Sequence, residues 1–549
     1  MTETNPPERE THEGAVDMGY AHEYATAIMH RGRIPMEPAD HVPNWADGPR
    51  KTKFYPGSER LPLPADGGYP AAATVARGLT GTDEPAADGW TFDLSALSGL
   101  LLDSYGLTGR RLGVQANTDL DALPFYPLAN WSRGTASGGG LYPVAVYWVS
   151  GASGPLPPGV HHYSPRHHAM RRLLTGDVTG EVRAALGDAA PGPETDQYLV
   201  LGVKYWQNAF KYNSFSFHAV SMDVGALLGT WRMWTRARGG ALAPALWFDE
   251  ARLARLLGVR GEEEGIFAVV PLPWAGANRA ADAPASAAVA RRDEERSRRV
   301  LEFAALREMQ RTTSAEAADR PGPGALAPAA ALPASPGRPA RPLPEPAPLT
   351  AGVRAALRAR RSSFGRFAAD HRPLPAPELA ALLAAAAAGA RLGGDAGAAG
   401  ADALARVYAF VNHVDGVEPG VYAYEPGVNA LRPVVDGAPG PFLQKNYFLA
   451  NYNLERAAAV LVPTIRTHAV LDAVGDRGYR LVNAMIGGVA QATYTAAAAL
   501  STGCGVALGF DNISYREELG LLDTDEQPLL IMLVGADRPA PADFRFEIA

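Results

Sequence analysis

The sequence predicts an α+β protein made of two tandem copies of one domain, paired within the chain as a pseudo-dimer. Three observations carry that prediction. "VYWVS" followed by "GVHHYSPRHHAMRRL" is echoed by "VYAFV" followed by "GVYAYEPGVNALRPV", with Tyr147/Tyr408, Tyr163/Tyr424 and Pro165/Pro426 all at one constant offset. "KYWQNAFKY" (204–212) aligns with "AVGDRGYRL" (473–481), and "ALWFDEARLARLLGV" with "ALGFDNISYREELGL", the latter two each followed by an apolar strand. Between the copies, residues 320–348 are dense in proline and unsuited to a regular helix or sheet. Repeats that recur in the same order point to a duplication.

In chain order, residues 1–85 read as an N-terminal extension and 86–277 as the first domain. Residues 278–349 follow as a charged helix (286–318) and an extended, mobile linker, and 350–549 form the second domain. Apolar runs predict strands at 144–149, 198–203 and 266–271, and again at 406–411, 458–462 and 528–534. Helical stretches include 374–389 and 480–500.

Composition narrows the function. The 549 residues are 47% hydrophobic and 20% charged, with a net charge of −7 and no basic stripe, which argues against nucleic acid as a partner. The single cysteine, Cys504, allows no intramolecular disulfide or thiolate metal cluster and suits a reducing cytoplasm. The start, "MTETNPPERETHEG", is unlike a signal peptide. No apolar run reaches the roughly 18 residues of a membrane span.

Several motifs carry chemistry. In "ASGGGLYP" (136–143) the glycines let backbone approach a ligand closely. "RRSSFGRF" (360–367) supplies guanidiniums and hydroxyls suited to a phosphate. In "VALGFDN" the backbone at Leu508 and Gly509 precedes an Asp511–Asn512 helix cap. Lys204 and Tyr205 close the apolar strand "QYLVLGV". The histidines of "HHYSPRHHAM" read as exposed polar residues at hairpin edges and the acidic runs at 262–264 and 293–295 as solvated faces, while "RKTKF" (50–54) fits part of a second phosphate site, a vestige of one or, as the favoured reading, a basic loop.

Taken in order, these motifs resemble the nitroreductase-like flavoproteins, and more closely the SagB-type azoline dehydrogenases, which oxidise azoline rings to thiazoles or oxazoles in ribosomally made peptides. The resemblance implies flavin mononucleotide bound between two subunits, here between the two halves of one chain. It assigns the flavin phosphate to Arg360 and Ser362, with Arg366 assisting at a spacing one or two residues longer than usual. It sets Ala136, Ser137, Gly138 and Gly139 against the isoalloxazine and ribityl groups, with alanine at 136 where the family usually has proline. It brings the Leu508–Gly509 backbone to the flavin's central ring and makes Lys204–Tyr205 the catalytic pair that handles the proton. The implied partners are a modified precursor peptide and a cyclodehydratase or other peptide-modifying enzymes.

The copies diverge in a complementary way. Ser137–Gly140 stands opposite Ala398-Ala399-Gly400-Ala401, Gly509 opposite Trp247, and Lys204–Tyr205 opposite Ala473–Val474 in this alignment. Each half thus retains a different share of one composite site. Two other readings stay open at this point: a nicotinamide-dependent flavin reductase of nitro, quinone or ene substrates, and a flavin-free scaffold that presents a peptide to other enzymes.

Overall fold

The computed structural model describes residues 19–65, 68–81, 89–112, 129–280, 287–333, 338–363, 365–538 and 544–547. The acidic start and the expected boundary at 85/86 lie outside them.

Each half is an antiparallel sheet packed against helices. The first sheet orders its strands Glu59–Pro62, Ala169–Thr175, Gly159–Ser164, Val144–Ser150, Gln197–Lys204 and Glu264–Pro271. The second runs Gly503–Ala507, Ile531–Gly535, Ala459–Arg466, Arg406–Val411, Gly420–Glu425, Ala430–Asp436 and Arg341–Pro342, with Glu526–Pro528 paired beside Ala459–Arg466. Central strands such as Val144–Ser150 are buried along their whole length, as their unbroken apolar runs require.

The halves meet at two long helices, Ser216–Ala237 and Gly478–Ala499, buried on nearly every face. They cross backbone to backbone. A Cβ on Gly225 would collide with the Ala484 carbonyl, and one on Gly487 with the Met222 carbonyl. Two further ties cross the divide. The strand Phe544–Glu547, at the end of the second half, pairs with Gly109–Leu112 of the first. The N-terminal helix Tyr20–His30 reaches the second half through His22 and Asp472, 2.9 Å apart.

The structure corrects five readings. The strands Gln197–Lys204 and Ala459–Arg466, like the two central helices, repeat at a spacing of 262 residues, not the longer one used for 204–212. Lys204 therefore matches Arg466, and Lys211–Tyr212 match Ala473–Val474. The charged segment 286–318 is helical only over Ala304–Ala315. The proline-rich stretch lies along the body, with Leu326 and Ala329 buried and Arg341–Pro342 added to the second sheet. His161 and His162 are 0% and 3% exposed, so they lie in the core and not at the surface. Glu264 is buried on Lys53 of "RKTKF", and Asp293 and Glu295 both hold Lys204, so the basic loop and part of both acidic runs are structural ion pairs. Among the described residues there is no cluster suited to a metal ion, and no helix is long and apolar enough to cross a membrane.

The helix crossing yields a stability prediction. Gly225→Ala should cost about 1–3 kcal/mol, because backbone on both sides leaves nothing flexible to yield. Gly261→Ala, where a Cβ meets only the Gln310 amide at 3.7 Å, should stay within about 0.5 kcal/mol. Urea unfolding of the two variants checks the contrast.

Candidate active site

The glycine loop follows the strand Ala129–Ser132 and leads into Val144–Ser150. Gly138–Gly140 form one tight turn in which Gly139 and Gly140 have φ of 63° and 66°. The Ser137 hydroxyl donates to Asp223 Oδ2 at 2.6 Å, and the Gly138 N–H donates to Oδ1 at 2.8 Å. Ser137 Oγ also accepts from the Tyr142 N–H at 2.8 Å. Asp223 comes from the central helix Ser216–Ala237. Burial pushes its carboxyl up to about 7, against the opposing effect of the Ser137 and Gly138 hydrogen bonds.

Two side chains of the short helix Trp206–Tyr212 face this loop. The Asn208 Nδ2 is buried, has no hydrogen-bond partner among the described residues, and lies 4.0 Å from where a Gly138 Cβ would stand. The Tyr212 ring and hydroxyl occupy the space a Cβ on Gly139 would need, so glycine is required there for room as well as for φ.

The second half meets the loop from the other side. Arg360, just after the helix Val353–Ala359, donates from Nε to the Gly134 carbonyl at 2.7 Å and from Nη2 to the Arg133 carbonyl at 2.9 Å. Gln491 donates to Gly134 O at 3.1 Å and accepts from the Ala136 N–H at 2.9 Å. The Ser362 hydroxyl lies 2.8 Å from the Tyr494 hydroxyl, and the Arg360 guanidinium 5.2 Å from the Tyr494 ring. Arg360, Ser362 and the 136–139 loop are therefore brought together. Arg366 is half-buried beyond the turn, and its carbonyl accepts from Arg538 at 2.8 Å.

Leu508 and Gly509 are held through their carbonyls, by Arg31 and by the Phe448 N–H (2.8 Å) respectively. Arg31 closes the N-terminal helix, also donates to Asn512 Oδ1 at 2.8 Å, and lies 4.9 Å from the Phe215 ring. Phe215 in turn packs on Tyr212, ring centroids 6.1 Å apart, which joins this corner to the glycine loop. The pseudo-symmetric place in the other half is filled. There Arg477 donates to the Leu246 carbonyl at 2.6 Å and to Glu250 at 2.8 Å, while Arg320 donates to the Trp247 carbonyl at 2.8 Å. Glu250 and Asn512 are repeat equivalents, so Arg477 has a carboxylate where Arg31 has a neutral amide. Gly81 is the described residue that matches the approach to Arg360–Ser362, since the helix Val75–Thr80 matches Val353–Ala359.

Lys204 and Tyr205 are not brought to the loop together. The Lys204 ammonium sits 2.5 Å from both Asp293 and Glu295. Tyr205 is 2% exposed and its hydroxyl donates to Gln310, beside Glu250 and Arg480 in the filled corner. Sequence reasoning missed Asn208, Tyr212, Asp223, Gln491 and Arg31. The signal for Tyr212 was present: a second Lys-Tyr dipeptide at 211–212, visible once the repeat is read at its true spacing.

Comparison with known proteins agrees with this architecture. Residues 357–536 match the model of the nitroreductase family. A protein of Methanocaldococcus jannaschii named as a nitroreductase is 34% identical over 141 residues, 25% of this chain and 67% of its own length. A crystal structure from Anabaena variabilis, titled as a nitroreductase, superposes with a TM-score of 0.67 at 21% identity over 95% of this chain and all of that one. That likeness shows a shared fold across both halves. The E. coli McbBCD microcin synthetase complex, solved with truncated pro-MccB17 bound, overlaps 35% of this chain and 65% of its own at 17% identity and a TM-score of 0.26, too slight to carry a conclusion.

Asp223 gives a pH prediction. Its folded value lies above the ordinary 3.8, so its favourable contribution is complete below about pH 4 and is lost as pH rises through about 7. Between these limits the group lowers stability by up to ~1.4 kcal/mol per pH unit. Unfolding curves of the wild type and Asp223→Asn from pH 5 to 8 should differ in slope by up to that amount, with the wild type falling faster. Parallel slopes would show that Asp223 titrates normally.

Proposed function

The chain belongs to the nitroreductase family, and from that premise we propose that it is an FMN-dependent dehydrogenase that oxidises azoline rings to azoles in a ribosomally made peptide. The observation that carries this reading is a Lys-Tyr pair, Lys211–Tyr212, set against a glycine loop that meets a phosphate-type clamp from the other half.

The residues present fit a flavin. Arg360 Nη1 has no hydrogen-bond acceptor among the described residues, while its other two nitrogens are fixed on carbonyls, so the guanidinium is oriented for an anion. The buried, unpaired Asn208 amide asks for an acceptor beside Gly138. In this reading Arg360 and Ser362, with Arg366 farther along the turn, hold the phosphate. Ala136, Ser137, Gly138 and Gly139 line the ribityl and ring, with Ser137 acting through Asp223 to fix the loop. Arg31 and Phe448 fix the Leu508–Gly509 peptide beside the ring. Bound flavin supplies a two-electron acceptor.

The proton falls to Lys211 and Tyr212. What supports them over Lys204 and Tyr205 is contact: Tyr212 touches the loop, whereas Tyr205 is sealed on Gln310. The Lys211 ammonium lies 4.9 Å from the Tyr212 ring centroid, so the two side chains act as one unit. One composite site is expected per chain, because the equivalent corner is filled by Arg477, Glu250 and Arg320. Partners in this reading are a cyclised precursor peptide and the cyclodehydratase or other enzymes that modify it.

The purified chain should be yellow, with one flavin per chain. Arg360→Ala with Ser362→Ala should release it, since charge-assisted contacts contribute roughly 1.5–3 kcal/mol each. Lys211→Ala and Tyr212→Phe should stay yellow yet lose ring oxidation by roughly 10²–10⁴-fold, read as the loss of two hydrogens per ring by mass spectrometry. Full oxidation by the Lys211→Ala, Tyr212→Phe double variant would overturn the mechanism. Rapid bleaching by reduced nicotinamide, with no peptide oxidised, would favour the reductase.

A further inference from the structure

Beside the glycine loop opens a cleft of about 310 Å³, mouth included, lined by Lys51, Tyr105, Arg133, Tyr142, His162 and Gln207. Its inner space is narrow.

Arg133 is 4% exposed, and its guanidinium lies 4.7 Å from the Tyr105 ring and 4.1 Å from the Tyr142 ring. No hydrogen bond or ion pair joins that guanidinium to any described residue. Its five N–H donors, with no acceptor among the described residues, are left to whatever enters the cleft, and the two ring faces stabilise only part of the cation. The surroundings deepen the deficit. Lys51 at the mouth is held below its usual range by desolvation and by repulsion from Arg133 and Lys211. His162 is kept neutral by burial and by the nearby Lys53 and Arg171 charges, and its Nδ1 has no partner among the described residues. Arg133 and Lys51 thus face one cleft that no carboxylate of the described residues lines, in a chain whose net charge is −7.

We propose that this cleft is a carboxylate-binding subsite in which Arg133 receives a carboxylate of the substrate, with Lys51 at the entrance. The planar fork of an arginine matches a carboxylate in two parallel hydrogen bonds. The "RKTKF" segment contributes Lys51 and Thr52 to the wall. The peptide-oxidation reading enters only in naming the bearer of the carboxylate: an acidic side chain, or a C-terminus, of the peptide whose ring is handled by Lys211 and Tyr212. The cleft and that pair are neighbours, because Gln207, on the helix that ends in Lys211–Tyr212, donates to the carbonyls of Lys51, Leu141 and Tyr142.

The test is calorimetric titration of the flavin-loaded protein in chloride-free buffer with four probes: acetate, inorganic phosphate, and blocked tripeptides centred on Asp or Asn. A fifth, a glycine tripeptide with a free C-terminus, separates side-chain from terminal carboxylates. The Asp peptide should bind at least tenfold more tightly than the Asn peptide, and acetate should compete with it. Arg133→Gln should remove that preference, while Arg133→Lys keeps part of it. Equal affinities for Asp and Asn peptides, an unchanged preference in Arg133→Gln, or tighter binding of phosphate than acetate would each overturn the proposal. Should Arg133→Gln fail to fold, Lys51→Gln with acetate competition on the wild type decides the matter: no loss and no competition refute the subsite. Ring oxidation lost with the Asp preference intact counts against the proposed enzyme activity alone, so the two failures are distinguishable.

Discussion

The close crossing of the two central helices is the constraint on which the site depends. Because Gly225 and Gly487 let the backbones touch, side chains only a turn or two away are delivered to fixed places. Asp223, two residues before Gly225, comes up beneath the glycine loop and holds Ser137 and Gly138. Gln491 and Tyr494, four and seven residues after Gly487, share one helical face and reach Gly134, Ala136 and Ser362. The loop of one half and the clamp of the other are thus positioned by the same seam. A shift of that seam would move both together with the polar atoms between them.

From that seam the two equivalent corners part ways. In one, Glu250 is buried between Arg477 and Arg480 and is joined by Gln310, with the Arg320 guanidinium on the Trp247 carbonyl. A buried ion cluster contributes little net stability over an apolar core, and removing one member is costly. Its effect here is to fill space with groups that satisfy one another. In the other corner the carboxylate is replaced by Asn512, the bulky Trp247 by Gly509, and the cation arrives from outside the repeat as Arg31. The N-terminal helix therefore completes a corner that the duplicated domain leaves open.

Much of this was legible in the sequence. The strand pairs and the second-half helices followed from apolar runs, and the glycine-rich turn before Val144–Ser150 from its residue chemistry. The buried charges were not legible. Lys53, Glu264 and Asp293 look like surface residues because a linear reading shows their polarity and not the partner that neutralises it, some 211 positions away for Lys53 and Glu264. Which of the two Lys-Tyr pairs faces the glycine loop was hidden for a different reason. Lys-Tyr recurs seven residues apart, at 204–205 and 211–212, and local composition cannot choose between a strand end and a helix end. The choice is made by the strand geometry that turns Tyr205 into the core and by the helix that carries Tyr212 back over Gly139.

The charge around the site runs against that of the molecule. Arg31, Lys51, Arg133, Lys211 and Arg360 gather near the loop, where the carboxylate bonded to it, Asp223, is itself driven toward neutrality by burial. The overall charge of −7 is spread over a surface where salt screens interactions beyond about 8 Å. At contact, inside a narrow cleft walled by protein, the local cations act with less screening. An anionic group thus meets weak repulsion at a distance and strong attraction at the last few ångströms. That arrangement selects for what enters the cleft rather than for what approaches the surface.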